Sequence, residues 1–377
     1  MAFTTQGAIC WEPGTRAGWS VEEIEYGDLQ PPEVVVKLAA SGLCHSDDHI
    51  DSPVFGGLGL GPMLGGHEGA GVITEVGSAV TDLKVGDHVV LAFVPSCGRC
   101  SMCVAGHSNL CDMGAYTLSG VELADKTSRI RARGQGVGTM CLLGTFSPYA
   151  VVHEASVVKI RDDVPLDKAA LVGCGVTTGW GSAVIAGDTQ AGDTVVVLGV
   201  GGVGMNAVQG ARMAGARRIV AVDPVEWKRE KAREFGATHA SPSIKEAYDL
   251  VNEVTWGKMA ERVILTVGVA EGDLINPAMQ LVGKRGTLVE TSVAPASQKD
   301  VTLDLWTFGT YEKRLVGTLF GSANPRNQIP QLLDYYMDGV LKLDELVTKT
   351  YTLDQINEAY RDMNDGKVIR GMIKYED

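Results

Sequence analysis

The chain has 377 residues, 45% of them hydrophobic, enough for two domains with sizeable cores and too many for one small module. A formal net charge of −13, with no block of lysine or arginine, excludes a reader of phosphate backbones, so nucleic acid is not an expected partner. The first residues lack a basic segment followed by an apolar one, and no apolar run is long enough to span a bilayer, which predicts a cytoplasmic protein with no membrane engagement.

In chain order, residues 8–152 show short β-branched runs at 34–36, 71–73 and 88–90, separated by glycine and proline and with little helical periodicity. This region reads as mostly β. Eight cysteines are too sparse for a disulfide scaffold, and four of them, Cys97, Cys100, Cys103 and Cys111, crowd together with two, two and seven intervening residues. Three come from one tight loop and the fourth closes the set, which suits a closed, tetrahedral structural zinc site with no open position. The other reading is a Cys-x-x-Cys redox pair, which leaves two thiols without a role.

Near Gly173 the texture changes. Residues 194–198 form a buried-strand run, 205–214 a helical one, 218–222 a second strand and 226–235 a second helix. The alternation continues through strands at 262–266 and 286–290, with a helix between them, and fades near Leu319. Such alternation predicts a parallel, doubly wound sheet. A turn at 344–348 and a helix at 353–363 return the chain to the first domain, and there is no internal repeat.

Gly199-Val200-Gly201-Gly202-Val203-Gly204 follows the strand 194–198 directly and opens the next helix, the setting in which this glycine pattern holds a dinucleotide. Gly199 permits the tight turn, Gly201 lets backbone approach a pyrophosphate, and Gly204 lets helix and strand pack closely. The helix N-terminus then offers unpaired amides to the phosphates. Asp223 closes the second strand, where a carboxylate accepts from the adenosine ribose and repels a 2′-phosphate, favouring NAD(H) over NADP; Lys228 on the next helix reaches the same ribose. The plainer alternative is a glycine-rich turn with a solvent-facing aspartate.

Cys44, His67 and Cys174 are far apart, each in a glycine-rich setting, and spacing alone does not assemble them. Together with Gly66-His67-Glu68-Gly69-Ala70-Gly71, the four-cysteine lobe, Gly173-Cys174-Gly175-Val176-Thr177-Thr178-Gly179-Trp180-Gly181 and the 199–204 fingerprint, they make the chain resemble the zinc-containing medium-chain alcohol dehydrogenases over essentially its whole length. The resemblance implies an α/β fold with a GroES-like, mostly-β catalytic domain at 1–177 and 319–377, and a Rossmann NAD-binding domain at 178–318. It implies two zinc ions per subunit. Cys44, His67 and Cys174 would bind the catalytic zinc, with Glu68 just behind the metal and Asp47 orienting His67.

By the same resemblance Ser46 takes the hydroxyl position on the substrate oxygen and His49 completes a proton path to solvent. His45 and Arg370 match contacts to the coenzyme pyrophosphate, Thr178 lies near the nicotinamide, and Phe93 and Met140 match walls of the substrate pocket. Read without the family, Phe93 and Met140 are ordinary core residues and His49 a surface histidine. His88, His107, His153 and His239 belong to no motif and read as structural; Cys10 and Cys141 are spare thiols, Cys141 with a place facing the pocket.

The segment 113–147 resembles the longer form of the family, which is commonly a homodimer paired through its coenzyme domains. The runs at 144–147, 195–206 and 319–325 resemble the nicotinoprotein subgroup (NDMA-dependent, mycofactocin-associated), which keeps NAD(H) bound and passes electrons from a primary alcohol or aldehyde to an external electron acceptor. The alternatives are an ordinary NAD-exchanging alcohol dehydrogenase, including a glutathione-linked formaldehyde dehydrogenase, and a non-enzymatic NAD-binding relative. The last need not keep Cys44, His67 and Cys174.

Overall fold

A computed structural model describes residues 2–121 and 125–376; of the segment 113–147, residues 122–124 lie outside the described residues. Two units divide the chain, Met1–Cys174 with Asn324–Asp377 and Gly175–Ala323 between them. The first unit therefore ends at 174 where the sequence suggested 177, and resumes at 324 where it suggested 319.

The spine of the first unit is the strand Glu33–Gly42, in which only Lys37 and Ala39 escape burial. Covered on both faces, it carries a nearly continuous apolar run instead of an alternating one. It pairs antiparallel with Gly69–Val76, Tyr149–His153 and Arg370–Lys374, so the C-terminal strand completes the sheet. The strands Phe3–Cys10, Ser20–Tyr26, Ile130–Ala132, Gln135–Thr139 and Met63–Leu64 close into a small barrel.

Register in this sheet decides where chemistry sits. Ser41 faces Gly69, and the Gly42 amide donates to the Glu68 carbonyl at 3.1 Å. The chain leaving one strand at Cys44 is thus beside the chain entering the other at His67. Cys174 follows the 3-10 turn Ala170–Gly173, and a Cβ on Gly173 would sit 2.5 Å from the Leu91 carbonyl, so only glycine lets this turn lie against the strand His88–Leu91.

The second unit is a six-stranded parallel sheet in the order His239–Ser241, Arg218–Val222, Thr194–Leu198, Ala260–Leu265, Val282–Glu290, Arg314–Gly317. The strand after Thr194 starts on one side of the sheet and the later strands add on the other, the doubly wound arrangement expected from the alternating pattern. Its central strand, Thr194–Leu198, is wholly buried.

The helix expected from 205 begins earlier and spans Gly202–Met213. Apolar periodicity starts only at Met205, but residues 202–204 already have helical backbone, which hydrophobic pattern cannot reveal. Likewise the helix expected at 353–363 splits into a 3-10 turn, Leu353–Gln355, held by a Thr352/Gln355 capping box, and the helix Ile356–Asn364.

Candidate active site

The cysteine lobe shows its chemistry in its distances. The Sγ atoms of Cys97 and Cys103 lie 3.9 Å apart, as do those of Cys100 and Cys111. All four cysteines are free of disulfides. Zinc–sulfur bonds of about 2.3 Å in a tetrahedron put neighbouring sulfurs about 3.8 Å apart, so the spacing fits a metal-bound set and not a redox pair. Backbone amides of Cys97, Cys100 and Cys103 point at the sulfurs of Cys111, Cys97 and Cys100 at 3.4–3.5 Å; Cys97 and Cys100 are held below the usual thiol range, while burial pushes Cys111 up to about 12 against its amide.

A second donor set lies in the same unit. The ligand atoms of Cys44, His67, Glu68 and Cys174 all lie within 4.8 Å of one another, and all four residues are buried. Asp47, fully buried, accepts from the Gly66 amide at 2.8 Å through Oδ1, and its Oδ2 sits 3.0 Å from His67 Nδ1. That contact is off the line of a straight hydrogen bond, but it turns Nδ1 toward the carboxylate and leaves Nε2 for the sulfurs.

Glu68 is paired with the buried guanidinium of Arg370, and burial pushes Glu68 up to about 7 despite that cation. Gly42 makes room: a Cβ there would collide with the Glu68 carboxylate. Two sulfurs, an imidazole nitrogen and a buried carboxylate behind them suit a borderline-soft cation such as zinc with one position left open.

In the second unit Gly199 turns with φ 87°, and Gly201 caps the helix Gly202–Met213 without any side-chain cap. A Cβ on Gly204 would strike the Gly199 carbonyl, whereas a Cβ on Gly201 would meet nothing within 4 Å. The first amides of this helix are therefore open to an anion. Asp223 is 8% exposed, which rules out the solvent-facing reading; each of its oxygens accepts one backbone amide, from Val200 at 3.0 Å and Val225 at 2.9 Å.

Residues 30–162 match the family described as "Alcohol dehydrogenase GroES-like domain" and residues 202–337 the family "Zinc-binding dehydrogenase". Over 376 residues the chain is 52% identical to "Alcohol dehydrogenase B" of Mycobacterium tuberculosis, covering 99% of each chain. The chain belongs to the zinc-containing alcohol dehydrogenases. It is also 51% identical over 372 residues to the "NDMA-dependent alcohol dehydrogenase" of Amycolatopsis methanolica, covering 98% of this chain and 99% of that one. Among solved structures it is similar to benzyl alcohol dehydrogenase from Acinetobacter calcoaceticus, with a TM-score of 0.90 at 29% identity over 99% of this chain and all of that one.

The remaining expected residues of this dehydrogenase take the following places. Ser46 and His49 lie one turn apart in the helix His45–Asp51, on one face. His49 is 3% exposed, so it is not a surface histidine; its Nδ1 has no partner, and burial, with His45 beside it, holds it below the usual imidazole range. His45 itself is exposed, its ring 6.4 Å from that of His49. Phe93 sets its ring edge-on to His67 at 5.6 Å, while Met140 is buried in a core cluster with Trp19, Cys141 and Phe146. Burial pushes Cys141 up to about 12, which keeps its thiol protonated. Lys228 lies 5.9 Å from the Trp227 ring, and burial lowers its pKa against the pull of Asp223.

Two features escape sequence reasoning. Arg370 was expected at the pyrophosphate, and its engagement with Glu68 had no local signal because the partners are 302 residues apart. Glu290, at the carboxyl end of the strand Val282–Glu290, has a buried Oε1 with no partner, and burial pushes it up to about 7. A charged residue closing an apolar strand was the available signal.

Proposed function

We propose that the protein oxidises primary alcohols, or reduces the matching aldehydes, using catalytic zinc at Cys44, His67 and Cys174, structural zinc at the four-cysteine lobe, and NAD(H) on the 199–204 turn with Asp223 and Lys228 at its ribose. The observation that carries this is the buried, convergent Cys44–His67–Glu68–Cys174 donor set with Asp47 behind the imidazole. Bound there, zinc supplies the Lewis acidity that acidifies an alcohol, and bound NAD supplies the hydride acceptor. Cys44, His67 and Cys174 fix the open position; Asp47 fixes the imidazole tautomer. Ser46 Oγ, 3.8 Å from Cys44 Sγ, is placed to take the hydroxyl proton, and His49, held neutral by burial, to accept it next. Phe93 excludes water from the side of His67.

The coenzyme stays bound during turnover, in this proposal, and an external acceptor reoxidises it. Support comes from 51% identity to a relative described as NDMA-dependent. A homodimer is supported by an apolar edge described in the Discussion. Exhaustive dialysis, denaturation and assay of released NAD(H) tests the coenzyme reading. Near one equivalent per subunit, with no turnover on free NAD alone, is the expected result; near zero, with turnover on free NAD, makes the protein an ordinary NAD-exchanging dehydrogenase.

A further inference from the structure

The carboxyl ends of the last two strands in the coenzyme unit are tied into a ring of hydroxyls. Thr291, just past the strand Val282–Glu290, donates from Oγ1 to Ser182 Oγ at 2.9 Å, and Ser182 donates to the Thr178 carbonyl at 2.6 Å. Ser182 opens a π-helical turn, Ser182–Ala186, directly after the helix Gly175–Gly181. The wide turn is closed by the Gly187 amide on the Ser182 carbonyl at 2.9 Å, while the Ser182 hydroxyl bonds back one turn onto the preceding helix. Thr178 Oγ1 is itself buried and without a partner.

From the other side comes a strained turn. Phe320, Gly321 and Ser322 are left-handed in succession, with φ of 57°, 64° and 58°. Two of the three carry side chains, which this region strains, and such backbone persists only where its surroundings over-determine it. A Cβ on Gly321 would lie 2.6 Å from the Thr178 carbonyl and 2.8 Å from Gly181 Cα. Ser322 Oγ shares a 2.8 Å hydrogen bond with Thr318 Oγ1, and the Thr318 amide donates to the Glu290 carbonyl at 3.1 Å.

In a doubly wound sheet the dinucleotide lies along the carboxyl edge, one mononucleotide half over each half of the sheet. With the adenosine half at Asp223, the other half falls over the ends of Ala260–Leu265, Val282–Glu290 and Arg314–Gly317, where this ring is built. We infer that Ser182 and Thr291 are positioning residues for the nicotinamide half of the coenzyme: they do not bind it, but hold Thr178 and the 320–322 turn in the one arrangement that does. The inference rests on the NAD(H) reading of the preceding section.

The test is the first-order release of NADH from the holoenzyme, followed by loss of its fluorescence into an excess of a second NADH-binding enzyme. Thr291→Val keeps the shape and removes the donor, and should speed release about tenfold, the scale of one hydrogen bond. The alcohol KM and the melting temperature should stay close to those of the parent, and Thr291→Ser should restore slow release. Ser182→Ala should act in the same direction and serves if Thr291→Val does not fold. Release within twofold of the parent in the folded variant, or fast release that Thr291→Ser does not rescue, overturns the inference. A parent protein that holds no NADH fails at the earlier step, and shows it before any variant is made.

Discussion

The proposal gives cysteines of identical chemistry different ends, and single substitutions test that division. Cys174→Ala removes a donor from the buried Cys44–His67–Glu68–Cys174 set and should lower turnover more than 100-fold, since even the partners of metal ligands cost about 10–100-fold when removed. Its melting temperature should change little. Cys103→Ala opens the lobe and should chiefly lower the melting temperature, with metal analysis showing one zinc lost per subunit in each case; equal destabilisation of both variants would reverse the assignment. Glu290 gives a prediction in pH. Its folded pKa of about 7 exceeds the model-peptide 4.5, so the folded protein holds a proton that the unfolded chain releases between those values. Stability therefore falls as pH rises from 4.5 to 7, and the penalty is complete above 7. Glu290→Gln should be more stable than the parent by about 1 kcal/mol at pH 8, allowing for solvent screening at a group still partly exposed, and equal to it near pH 4, as urea titrations would show. The cysteine lobe was legible in the sequence because its ligands are local; the Cys44, His67 and Cys174 cluster was legible only through resemblance, because strand register and Gly173 bring it together.

At the scale of elements, one guanidinium ties residues 125–129 to the strand Glu33–Gly42. Arg129 makes a two-pronged contact with Glu33 at 3.0 and 3.1 Å, and also reaches Asp125 at 2.9 Å and Thr127 at 2.7 Å. Glu33 is 1% exposed. Arg129→Met would strand that carboxylate without its cation and should cost about 3–5 kcal/mol in chemical denaturation. Adding Glu33→Gln should recover a good part of the loss; no recovery would mean that packing, not charge, holds this segment. Four of the six strands of the coenzyme unit were readable to within a few residues because parallel strands are continuous apolar runs, whereas the short edge strands His239–Ser241 and Arg314–Gly317 were not read at all. The early start of its first helix at Gly202, the π-helical turn at Ser182–Ala186 and the left-handed run at 320–322 also escaped, since backbone conformation of this kind leaves no periodic trace.

For the whole molecule, the coenzyme unit ends its sheet on one side in an exposed strand. The strand Arg314–Gly317 is last in its sheet; in the helix before it, Leu305–Thr310, Leu305 and Trp306 are 73% and 78% exposed, and Leu315 and Leu319 are also open. An edge strand flanked by apolar side chains is a self-complementary surface for a two-fold partner. Trp306→Glu tests the proposed homodimer: a fall from dimer to monomer mass in sedimentation velocity is expected, and an unchanged mass would move the interface elsewhere. The C-terminal strand has another consequence, in time instead of space. Because Arg370–Lys374 completes the sheet that carries Cys44, and Arg370 meets Glu68 across 302 residues, the catalytic unit cannot close until the ribosome has finished the coenzyme unit. At about 5–20 residues per second that interval is roughly 15–60 s. Through it the nascent chain carries its thiols on an unfinished sheet, open to whichever arrives first, metal or oxidant.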